Sequence, residues 1–90
     1  MTSIEYNDIV NSLYCGHDID FIFNGREYFL EREDECHVLY QVINSKTTEV
    51  VRKIAGKTLR NRVDCFLETE LFDGNSFSNI YSKVEIVDIE

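Results

Sequence analysis

The alternation of apolar and polar positions divides the chain into eight elements. Tyr6, Ile9, Val10 and Leu13 recur at helical spacing. Thr2 and Glu5 stand at the two positions of a capping box, and Gly16 follows where a left-handed C-cap belongs. This spacing predicts an amphipathic helix over 3–15.

Residues 18–32 read as a β-hairpin, because Asn24-Gly25 is the preferred pair for a two-residue type I′ turn. That turn fixes the register. It sets Phe23 opposite Arg26, Phe21 opposite Tyr28, Ile19 opposite Leu30 and Asp18 opposite Glu31. One face then carries Ile19, Phe21, Phe23, Tyr28 and Leu30 and must be core. The other carries Asp18, Asp20, Ile22, Glu27, Phe29 and Glu31. Asp18 against Glu31 would be a like-charge pair, which costs stability. With Glu33, Asp34 and Glu35 in the next loop, five carboxylates are expected to crowd one corner, partly offset by Arg32.

Residues 36–43 alternate and are rich in β-formers, so they predict a third strand. Residues 48–55 fit a strand or a helical turn; the Asn44-Ser45-Lys46 turn and Gly56 favour the strand. Thr58 is a candidate N-cap for a helix marked by Leu59, Val63, Phe66, Leu67 and Leu71, which Asp73-Gly74-Asn75 ends. Ser76 caps a short helix through Tyr81. Val84, Ile86 and either Val87 or Ile89 form a last short strand. The order α-β-β-β-β-α-α-β implies a single α+β domain over 1–90: a two-layer sandwich whose antiparallel meander has its helices on one face.

Asn24-Gly25 belongs to a longer pattern. Gly16-His17-Asp18-Ile19-Asp20-Phe21, followed by Asn24-Gly25-Arg26-Glu27-Tyr28, resembles the "GHDIEF-x-YNGK-x-Y" hairpin of short acidic proteins from Gram-positive bacteria and their phages. Phe66-Leu67 and Phe72-Asp73-Gly74-Asn75-Ser76-Phe77 resemble that group's "FL…DGKSL" segment. Asn75 stands where Lys is usual, and Asp20 where Glu is usual. The shared positions are a turn, a glycine cap and core residues. The resemblance therefore implies a bacterial or phage source and carries over no catalytic residue.

Composition narrows the chemistry. The chain has 90 residues and a formal net charge of −8, with 43% hydrophobic residues, too many for a disordered acidic tail. No apolar run spans a bilayer, and the N-terminus lacks the pattern of a signal peptide, so a cytoplasmic protein with no membrane partner is expected. Cys15, Cys36 and Cys65 are odd in number and widely spaced, which suits a reducing compartment and buried, inert thiols rather than a disulfide set or a zinc knuckle. No glycine-rich phosphate loop, HExxH, GxSxG or EF-hand spacing occurs. A Cys–His pair drawn from Cys15, Cys36, His17 and His37 would need a reach of nearly ~10 Å across the second strand. No enzyme, no metal site and no cofactor are expected.

The charge is uneven. Residues 46–62 hold Lys46, Arg52, Lys53, Lys57, Arg60 and Arg62 against Glu49 alone, while the rest of the chain holds sixteen acids against Arg26, Arg32 and Lys83. An acidic body repels nucleic acid and favours basic partners. The basic run is expected to neutralise the acidic sheet or coat a solvated face. The expectation is a non-enzymatic binding protein, an anti-CRISPR-like phage inhibitor acting as a DNA mimic. It would dock Asp18, Asp20, Glu27, Glu31, Glu33, Asp34 and Glu35 on the basic, nucleic-acid-binding site of a bacterial defence nuclease. The alternative is a bacterial regulatory or adaptor domain; a small Cys/His enzyme or metal protein stands third.

Overall fold

A computed structural model describes residues 5–90. Thr2, and Ser3 and Ile4 of the predicted first helix, lie outside the described residues. The elements run α1 (Tyr6–Tyr14), β1 (Ile19–Phe23), β2 (Arg26–Arg32), β3 (Cys36–Asn44), β4 (Thr47–Ala55), α2 (Leu59–Glu68), α3 (Phe77–Ile80) with a 3-10 turn at Tyr81–Lys83, and β5 (Glu85–Ile89). The five strands form one antiparallel sheet in the order β4-β3-β2-β1-β5. The fold is the expected α+β two-layer sandwich.

The first hairpin has the register that its turn dictates: Ile19 pairs with Leu30, Phe21 with Tyr28 and Phe23 with Arg26. Asn24 and Gly25 both adopt positive φ, 54° and 76°, the conformation that a type I′ turn requires. Ile19, Phe21, Tyr28 and Leu30 are buried on one face, as the alternation predicts. Leu39 and Ile54 extend that face across β3 and β4, and Ile9, Leu13, Val63, Phe66, Phe77 and Ile80 cover it from the helices. Every helix therefore contributes to one side of the sheet.

The second helix ends earlier than its apolar spacing predicts. α2 stops at Glu68, where Thr69 turns extended and its hydroxyl donates to the Cys65 carbonyl at 2.6 Å. Leu71 is therefore not helical. Residues 71–75 instead fold back on themselves, with the Leu71 and Phe72 amides donating to the Asn75 carbonyl at 3.1 and 3.0 Å. Asp73 and Gly74 repeat the positive φ pair of the first hairpin, 54° and 83°. This tight reversal drives Phe72 into the core, where it meets Phe21, Phe23, Tyr28, Phe66 and Phe77.

The last strand crosses over and pairs with β1, at the sheet edge opposite β4. A bulge leaves Val87 exposed while Ile86 and Ile89 face the core. The three cysteines depart from expectation: Cys15 and Cys65 are exposed and Cys36 is half-buried. They lie on outward positions of α1's end, α2 and β3. No helix among the described residues is long and apolar enough to cross a membrane.

Candidate functional site: the open face of the sheet

Because the helices cover one side of the sheet, the residues between the core positions form an open face. The strand registers align them in rows. One row runs Asp88, Asp20, Phe29, Tyr40, Val50 from β5 to β4, and the next runs Glu85, Ile22, Glu27, Val42, Thr48. A third brings Glu31, Val38 and Lys53 into line. Carboxylates therefore gather over β5, β1 and β2, apolar side chains hold the middle, and Lys53 lies at the far edge. Asp20, Phe29, Glu31, Tyr40, Val42 and Thr48 line a shallow concavity of about 390 Å³.

Asp20 is the least comfortable member of this face. Its Oδ1 is buried without a hydrogen-bond partner. Burial pushes its carboxyl up to about 7, and a hydrogen bond with Glu27 and the charges of Glu27, Asp88 and Glu90 add to the shift. The unfolded carboxyl titrates near 3.8. The folded state therefore binds the extra proton between these values. The stability this confers is fully present below 3.8 and is lost as pH rises through about 7.

The seven carboxylates expected at the contact surface divide into two groups. Asp20, Glu27 and Glu31 stand on the open face and are half-buried, not freely exposed. Glu33, Asp34 and Glu35 are exposed in the turn between β2 and β3, where they and Glu31 form an acidic corner around Arg32. Asp18 joins the two groups. The paired register begins at Ile19, and Asp18 Oδ1 accepts from the Arg32 amide at 2.8 Å. Its carboxylate thus has a backbone donor, which offsets the repulsion expected from a bare Asp18–Glu31 pair. Tyr40 ties the corner to the face, its hydroxyl donating to Glu33 Oε2 at 3.3 Å.

The basic run does not form one surface. Lys46, Arg52, Lys53 and Lys57 are exposed, along β4 and the turns at its two ends. Arg60 lies over the Tyr14 ring, 4.5 Å from its centroid. Arg62 is buried, against the expectation of a solvated or charge-neutralising role. Its Nε donates to His37 Nδ1 at 3.1 Å and its Nη1 donates to the Gly56 carbonyl at 3.2 Å. His37 is itself 1% exposed, with Nε2 unpartnered. Burial holds the imidazole below its ordinary 6.5, and the charges of Arg62 and Arg32 lower it further against Asp18. Neutral His37 is what lets Nδ1 accept from Arg62. Since the neighbouring positions Cys36 and His37 project to opposite faces of the strand, His37 is a core residue and not the base of an adjacent thiol.

Two features of the open face escaped the sequence reading. Asp88 and Glu90 reach Asp20 only because β5 docks beside β1, which no local pattern announces. Tyr40 and Val42 join the apolar middle through the β2–β3 register. Among the described residues, no three His, Cys, Asp or Glu side chains gather in a way that could hold a metal ion. The chain matches no protein-family model, no curated protein and no solved structure.

Proposed function

We propose that this chain is a non-enzymatic binding protein that docks its open sheet face and the adjoining acidic corner on a basic surface of a larger protein. The carrying observation is the uncovered face: Asp20, Glu27, Glu31 and Asp88 surround Phe29, Tyr40 and Val42, with no helix of the described residues over them. Such a mixture of apolar contact area and one sign of charge suits a protein partner of the opposite sign. With a net charge of −8 the molecule repels nucleic acid itself.

The concrete form of the proposal is a phage-encoded inhibitor of the anti-CRISPR kind. It would occupy the nucleic-acid-binding site of a bacterial defence enzyme, presenting carboxylates where phosphates bind. The high negative charge and the uncovered acidic face of the sheet support this form. Three free cysteines, two of them exposed, suit action in the reducing cytoplasm. Affinity capture from a bacterial lysate, with and without nuclease, tests it. A nucleic-acid-binding enzyme retained after nuclease treatment is the expected result. Capture that disappears with nuclease, or that retains only acidic regulatory proteins, contradicts it.

A further inference from the structure

Among the described residues no cation answers Asp20, which sits at the edge of the open face. The charges of the described residues that act on it are all carboxylates: Glu27 from β2, Asp88 from β5 and Glu90 just after β5. Its Oδ1 is buried without a hydrogen-bond partner. Beside it, Phe29 and Tyr40 continue the same cross-strand row, and with Val42 they floor the concavity that Asp20 and Glu31 enclose on the acidic side. A flexible apolar stem ending in a delocalised cation matches this layout. The stem lies along the ring faces and the charge reaches the carboxylates. A guanidinium satisfies both demands better than an ammonium, because it stacks on aromatic rings and donates to two carboxylate oxygens at once.

We propose that the concavity seats an arginine side chain from a basic segment of the partner protein, its guanidinium on Asp20 and its stem across Phe29, Tyr40 and Val42. This rests on the acidic-docking reading and names the contact at its centre. It has a consequence for protons. In the free protein the carboxyl group of Asp20 is half ionised near pH 7. A guanidinium favours the ionised form, so docking releases the proton held there. Near pH 6 roughly a tenth of the molecules have Asp20 ionised, and near pH 8 roughly nine-tenths. Affinity for an arginine-bearing segment should therefore rise about tenfold over that interval.

The test is calorimetric titration of the folded chain with an oligoarginine peptide at the two pH values, in two buffers of different ionisation enthalpy and at matched ionic strength. The wild type is expected to bind about tenfold tighter at the higher pH and to release a proton on binding near neutrality. Asp20→Asn, which keeps the shape and removes the titration, is expected to bind weakly at both and to lose the proton release. Phe29→Ala is expected to weaken binding several-fold while leaving the pH dependence in place. An unchanged affinity and pH dependence in Asp20→Asn overturns the seat. So does oligolysine of equal length binding the wild type as tightly as oligoarginine. Glu31→Lys with Asp34→Lys separates the two levels. If this pair loses binding while Asp20→Asn does not, acidic docking stands and the arginine seat falls. If none of these variants changes binding, both fall.

Discussion

Phe72→Ala should leave the protein largely unfolded at physiological temperature. Phe72 is 1% exposed and its ring meets five other aromatic rings, at centroid distances between 5.2 and 6.4 Å. It joins the sheet, through Phe21, Phe23 and Tyr28, to the helices, through Phe66 and Phe77. Removing a buried Phe costs about 3–5 kcal/mol, because the transfer free energy is lost and the cavity collapses only in part. A domain of this size has about 5–13 kcal/mol in total. The loss should lower Tm by about 15 °C or more. Phe72→Leu, which refills most of the space, should keep the fold with a smaller decrease. A Tm for Phe72→Ala within a few degrees of wild type would mean that the 71–75 reversal does not anchor the two layers.

Arg62→Ala should be the next most damaging change, by about 2–4 kcal/mol. The substitution leaves the His37 Nδ1 and the Gly56 carbonyl without their donor and empties the space of the buried stem. Its pH signature distinguishes it from simple loss of packing. His37 is held below 6.5 in the fold, so its contribution to stability is complete above 6.5 and is lost as pH falls through its lower folded value. Arg62 supplies part of that depression. Denaturant unfolding at neutral and mildly acidic pH should show wild type losing stability on acidification through this group, and Arg62→Ala losing less. An Arg62→Ala cost under about 0.5 kcal/mol would show the pair to be dispensable.

What could be read from the chain depended on how local the cause was. Asn24-Gly25 fixes a turn, the turn fixes a register, and the register assigns every side chain of residues 19–30 to a face. The same reasoning was available at Asp73-Gly74, but Leu71 continued the apolar spacing of α2 and masked the reversal that buries Phe72. Arg62 lay in a run of basic residues that looked solvated. Its position, three after Leu59 and four before Phe66, places it on the inner stripe of the helix, and that spacing was the signal for its burial. Asp18 looked like a strained partner of Glu31 because charge was counted without the Arg32 amide that it receives. The crowding at Asp20 could not be read at all, since Asp88 and Glu90 arrive through a crossover from about seventy residues away in sequence.

In the proposed complex the carboxylates of the open face and its corner, and not the basic edge, make the contact. The direct measurement is the association rate and affinity of the captured partner for three proteins: wild type, Glu31→Lys with Asp34→Lys, and Arg52→Glu with Lys57→Glu. All four substituted positions lie outside the core, so folding should survive. The acidic reversal should slow association at least about tenfold and weaken the salt dependence of binding, because steering by opposite charge acts mainly on the encounter. The basic reversal should bind as wild type or faster. Binding abolished by the basic reversal and untouched by the acidic one would contradict the account and make β4 and its flanking turns the functional surface.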